Sequence, residues 1–131
     1  MKQFLLAFFL FATPAAAQQA VVVPATTNQI SITGTVATAT KIVTGITGKS
    51  IYVTGVALVP VATSVVTFTY GTGTNCGTGT ASITGAMTFA AGQTLTYGIG
   101  NGAVFVLPQG NDLCITIATA VAPGSLAYSI F

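Results

Sequence analysis

Five side chains hold nearly all the reactive chemistry this chain offers: Lys41, Lys49, Asp112, Cys76 and Cys114. Past an apolar N-terminal stretch, the two lysines and the aspartate are the only charged side chains, and the sequence contains no histidine and no arginine. General acid–base catalysis, metal capture and phosphate clamping draw on His, Asp, Glu, Lys or Arg held in groups. One carboxylate and two lysines cannot assemble most such sites. A Ser or Cys triad lacks its histidine, and no Gly-x-Ser-x-Gly elbow occurs. The expectation is a non-enzymatic protein with no catalytic, cofactor-binding or metal-ligating residues.

Three motifs test that expectation. Val43-Thr44-Gly45-Ile46-Thr47-Gly48-Lys49-Ser50 ends like a phosphate-binding loop. That loop needs glycine where Val43 stands and a helix after the serine. Here the strand-like Ile51-Tyr52-Val53-Thr54 follows, so the segment reads as a hairpin turn. The glycine-rich stretches 71–79 and 98–102 open no helix, and no acidic residue lies about 20 positions on to meet a ribose; they read as loop tips. Asp112 is alone, whereas calcium takes about six oxygen ligands or more, so it reads as a turn cap.

The cysteines depend on the compartment. Met1-Lys2-Gln3 gives a positive start, Phe4 to Ala12 is an unbroken apolar run, and Ala15-Ala16-Ala17 follows Pro14. This is the layout of a secretory signal peptide cleaved after Ala17. The run is shorter than the roughly 20 residues that span a bilayer; the rival reading is a retained anchor. An exported chain with two cysteines reads as a disulfide, Cys76–Cys114. It closes a loop of roughly 39 residues, worth about 4 kcal/mol on the chain-entropy account. A reactive thiol is the alternative, disfavoured because no histidine or neighbouring lysine lowers its pKa.

The elements that must position these residues are strands. Alternation appears at Ile30–Thr33, Ile51–Thr54, Val66–Tyr70, Leu113–Ile117 and Leu126–Phe131, each run rich in Val, Ile, Thr, Tyr or Phe. Val104-Phe105-Val106-Leu107 is continuously apolar and predicts a strand buried on both faces. Val66, Phe68, Ile115, Ile117 and Tyr128 are expected to face one core, with Thr67, Thr69, Thr116 and Ser129 outward or toward a neighbouring subunit. No window has helical spacing. Thr-Gly recurs at Gly34, Gly45, Gly48, Gly55 and Gly85 without a fixed period, marking turns or bulges and no repeat.

The organisation is therefore a signal peptide over 1–17, an extended arm over 18–28, and one domain over 29–131. The fold class is all-β, an antiparallel β-sandwich, jelly-roll-like. Phe68, Tyr70, Phe89, Tyr97, Phe105, Tyr128 and Phe131 belong to a core or, alternatively, line a sugar-binding face. Charged residues make up 3% of the chain, against about a quarter in ordinary chains. Such a surface has little repulsion between copies, so a homo-oligomer or other structural subunits are the expected partners. Ala20-Val21-Val22-Val23 in the arm suits pairing with a neighbour's edge. No basic patch suits nucleic acid, and no polybasic signal suits a membrane.

Lys49 to Phe131 also resembles a known group. The matching blocks are Lys49-Ser50-Ile51-Tyr52-Val53-Thr54-Gly55, the run from Val66 to Thr80, the run from Gly100 to Thr116, and the closing Ser125 to Phe131. They are similar to small β-rich proteins of tailed phages and alphaproteobacterial genomes. Asn75-Cys76-Gly77-Thr78-Gly79-Thr80 and Asn111-Asp112-Leu113-Cys114 are the most specific parts. The resemblance implies a virion-surface or particle-associated β-sandwich, such as a head decoration or fibre module, with no active site to carry over. A secretory leader departs from it, since tailed-phage structural proteins assemble in the cytoplasm. Two functions follow: a structural, self-assembling surface subunit, or a secreted carbohydrate- or surface-binding adhesin module. The location is secreted, extracellular or periplasmic; the alternative is the virion surface.

Overall fold

The computed structural model describes residues 28–34, 38–98 and 102–131; the leader and residues 18–27 of the arm lie outside them. Ten strands follow in order: β1 Asn28–Thr33, β2 Thr40–Val43, β3 Ile51–Leu58, β4 Ser64–Thr72, β5 Thr78–Ser82, β6 Met87–Phe89, β7 Leu95–Tyr97, β8 Phe105–Val106, β9 Asp112–Ile117 and β10 Pro123–Ile130. Asn28, given to the arm by sequence, is the first residue of β1 because it pairs with Tyr128. A single-turn 3-10 segment, Thr74–Cys76, is the helical part of the described residues.

The strands form two antiparallel sheets. One runs β1-β10-β3, with β7 and β8 sharing the far edge of β3; the other runs β2-β9-β4, with β5 and β6 sharing the far edge of β4. The connectivity is that of one long hairpin, β1 with β10, β2 with β9, β3 with β7 and β8, β4 with β5 and β6, rolled so that β10 meets β3 and β9 meets β4. That is a jelly roll. Its tip is the segment between β4 and β5, where Cys76 lies.

Alternation explains the core. Val66, Phe68, Leu113, Ile115 and Ile117 from one sheet meet Ile51, Val53, Val56, Leu58 and Leu126 from the other in a single buried cluster. Phe68 bridges the layers, with its ring 5.7 Å from that of Phe105. Tyr70 and Tyr128 are half-buried against the same cluster, so of the seven aromatics all but Phe131 pack with the core.

Three expectations need correction. β8 holds only two residues and Val106 is 57% exposed; this strand pairs with β3 alone, at an edge, and is covered on one face. Thr69 and Ser129, expected outward, are buried. Their register is as expected, but other residues cover the outer face above them. The segment 44–50 is a turn without a hairpin, because β2 and β3 belong to different sheets. The Lys49 N–H donates to Ile46 O at 2.9 Å, and Gly48 has φ 76, the positive value a type II turn needs at its third residue.

Candidate functional site

The five chemistry-bearing residues divide unevenly. Four of them gather on or beside the outer face of the β2-β9-β4 sheet. Register places Lys41 beside Cys114, Cys114 beside Thr69, and Asp112 beside Gly71. The segment after β4 folds back over this face, and Cys76 in the 3-10 turn is bonded to Cys114 with Cα atoms 6.3 Å apart. Both cysteines are buried. The bridge that the sequence predicted thus ties the loop after β4 to the start of β9.

The close approach depends on Gly71. A Cβ there would stand 2.8 Å from Cys76 O and 2.9 Å from Thr78 O. The turn is left-handed, with φ 50 at Asn75 and 58 at Cys76; asparagine tolerates such values, whereas a residue such as cysteine loses about 1–2 kcal/mol there. The disulfide holds it there, and the Thr80 hydroxyl donates to Cys76 O.

Asp112 is 7% exposed and accepts two bonds. The Gly45 N–H donates to Oδ1 at 2.7 Å, and Lys41 Nζ lies 3.1 Å from Oδ2. It therefore fastens the β2–β3 connection to β9; it does not cap its own turn. The Lys41 backbone N–H donates to Asn75 Oδ1 at 3.4 Å, joining the edge strand to the disulfide loop. Lys49 stands exposed in the turn at 46–49. No group of three or more His, Cys, Asp or Glu occurs among the described residues. Carboxylate, amine and both sulfurs are engaged in holding chain segments together, so the cluster is a structural clasp. Beneath it Thr69 Oγ1 is buried without a hydrogen-bond partner.

The outer face of the β1-β10-β3 sheet is built differently. Register sets Gln29, Ala127 and Gly55 in one row, and Ser31, Ser125, Ala57 and Thr96 in the next. Thr54 and Gly55 together oppose Ala127 at a bulge, and Gly98 (φ 82) abuts it in space a side chain could not enter. Toward the other end of the face, Tyr52 pairs with Ser129 and Val106. The Tyr52 and Phe131 rings lie 5.7 Å apart. Phe131 is two residues beyond Ser129, whose strand partner is Tyr52. No charged residue lies in these rows. Sequence reasoning missed Tyr52, Ala57 and Ala127 as a surface, because one aromatic and two small residues on two strands far apart in sequence carry no local signal.

Comparison with known protein families, characterised proteins and solved structures returns no significant match. No helix among the described residues is long and apolar enough to cross a membrane.

Proposed function

We propose that this chain is a non-enzymatic structural subunit that assembles with itself on a surface, either as an exported module or as a phage-particle decoration or fibre-like component. The observation that carries the reading is the contrast between the two outer faces. One spends its ionisable groups and both cysteines on an internal clasp; the other presents uncharged strands to its surroundings. The edge strand β1, Asn-Gln-Ile-Ser-Ile-Thr, has none of the lysines or prolines that commonly guard a free edge. Jelly rolls serve in capsid and lectin domains alike, an analogy of fold that supports the reading. The disulfide suits an oxidising compartment, and with the secretory layout of residues 1–17 supports export.

The test is the mass and oligomeric state of the native protein recovered from culture medium and from purified particles. A multimer in either, lacking residues 1–17 in the exported case, is expected. A monomer confined to the cytoplasm overturns the reading. The alternative, a glycan- or surface-binding adhesin module, is favoured by one feature: the Tyr52–Phe131 pair stands on the same face as a hollow lined by the amide of Gln29 and the hydroxyls of Thr96 and Ser125. Retention on immobilised glycans, lost in Tyr52→Ala, would support it.

A further inference from the structure

The uncharged face also has a shape that selects its partner. At one end stand Tyr52, Phe131 and Val106, with Phe131 44% and Val106 57% exposed. Further along the same strands, Gly55, Ala57, Ala127, Ser125 and Thr96 leave a shallow hollow of about 170 Å³. Knob and hollow therefore share one face, three to five residues apart along β3, which is about 10–17 Å at roughly 3.3 Å per residue.

We infer that this face is the contact between two copies of the chain, related by a two-fold axis passing beside Thr54, so that the knob of each copy enters the hollow of the other. The inference rests on the self-assembly reading above and gives it a surface and a geometry. A two-fold contact must be self-complementary, with residue i meeting j and j meeting i; a protrusion and a depression on opposite sides of one midpoint meet that condition. Charge permits the contact: no charged side chain stands in the rows of this face, and Lys49 is exposed just before Ser50, whose N–H and C=O pair with Phe131. Area sets the class of contact. Strands of six, eight and eight residues, with β7 and β8 sharing the fourth row, give roughly 430 Å² per copy at about 4.8 Å between strands and 3.3 Å per residue, or about 860 Å² in the pair, the size of a weak, reversible interface. Aromatic anchors seated in a partner's pocket are the usual energetic centre of such contacts.

Sedimentation velocity on the mature chain tests this with two charge insertions of matched type. Ala57→Arg places a cation in the hollow; Thr67→Arg places one on the outer face of the opposite sheet. The expected result is an assembled wild type, a dissociation constant raised at least about a hundredfold by Ala57→Arg, and no change with Thr67→Arg. A second measurement does not depend on dissociation: a short bismaleimide should join Tyr52→Cys chains to Ala57→Cys chains in a mixture, and join neither variant to itself. An assembled wild type insensitive to Ala57→Arg, or crosslinking within each variant alone, overturns the proposed face and leaves the self-assembly reading standing. A wild type that stays monomeric overturns both. Glycan retention abolished by Tyr52→Ala in a chain that remains monomeric would assign the face to a sugar.

Discussion

At the scale of single residues, Asp112 and Gly71 are the positions where one atom matters most. Asp112 takes an N–H from Gly45 and an ammonium from Lys41 while 7% exposed. Removing it leaves the Gly45 N–H without its acceptor, and bonds to a charged group contribute about 1.5–3 kcal/mol. Asp112→Ala should lower unfolding free energy in urea by about 2 kcal/mol. Lys41→Met should cost under about 1 kcal/mol, since the Lys41 side chain is 34% exposed and partly exposed pairs contribute little. Equal losses would mean that the ion pair, and not the backbone anchor, is what counts. Glycines separate in the same way. Gly71→Ala forces a methyl against Cys76 O at 2.8 Å, and overpacking of this kind costs about 1–3 kcal/mol. Gly85→Ala meets nothing within 4 Å and needs no positive φ, so it should be neutral or add up to about 1 kcal/mol by restricting the unfolded chain.

At the scale of elements, the rolled hairpin is held at its tip by Cys76–Cys114. Replacing both cysteines with alanine removes a crosslink across roughly 39 residues, worth about 4 kcal/mol on the chain-entropy account. The loop should also detach, since its left-handed residues Asn75 and Cys76 lose their tether. Limited proteolysis should then cut between residues 72 and 79 before any other strand connection, and a first cut elsewhere would show that the loop is held by its hydrogen bonds. The strands themselves depend on packing between layers. Phe68, fully buried and tilted against Phe105, should cost about 3–5 kcal/mol when cut to alanine, read as a shift in urea midpoint at constant slope.

At the scale of the whole molecule, the separation of charge decides how copies should meet. Lys41 and Asp112 lie on one outer face, and among the described residues no charged side chain stands in the strand rows of the opposite face. Association through an uncharged face gains nothing from Coulomb attraction, so it should not weaken as salt screens charges, and sulfate should strengthen it by favouring apolar burial. Sedimentation equilibrium from low to high sodium chloride, then in ammonium sulfate, checks this. A dissociation constant that rises steeply with sodium chloride would assign the contact to Lys41, Lys49 and Asp112 instead.

The sequence alone determined the strand character of the chain, because a period of two in Val, Ile, Thr and Phe is a local property of the pleat. It also identified which residues face the core: Val66, Phe68, Ile115 and Ile117 are all fully buried. It picked out the disulfide, since the chain holds only two cysteines. Alternation states which side a residue points to, and says nothing of what lies there. Thr69 became buried where the disulfide loop folds over Cys114, its strand neighbour, Ser129 is buried although it faces away from the core, and Val106 became exposed because β8 sits at an edge. The clasp and the hollow both join residues far apart in the chain: Lys41 meets Asp112 across 71 positions, and Ala57 pairs with Ser125. Such contacts follow from how the hairpin rolls, a choice made by burying both sheets' apolar faces together, and only the tertiary structure contains it.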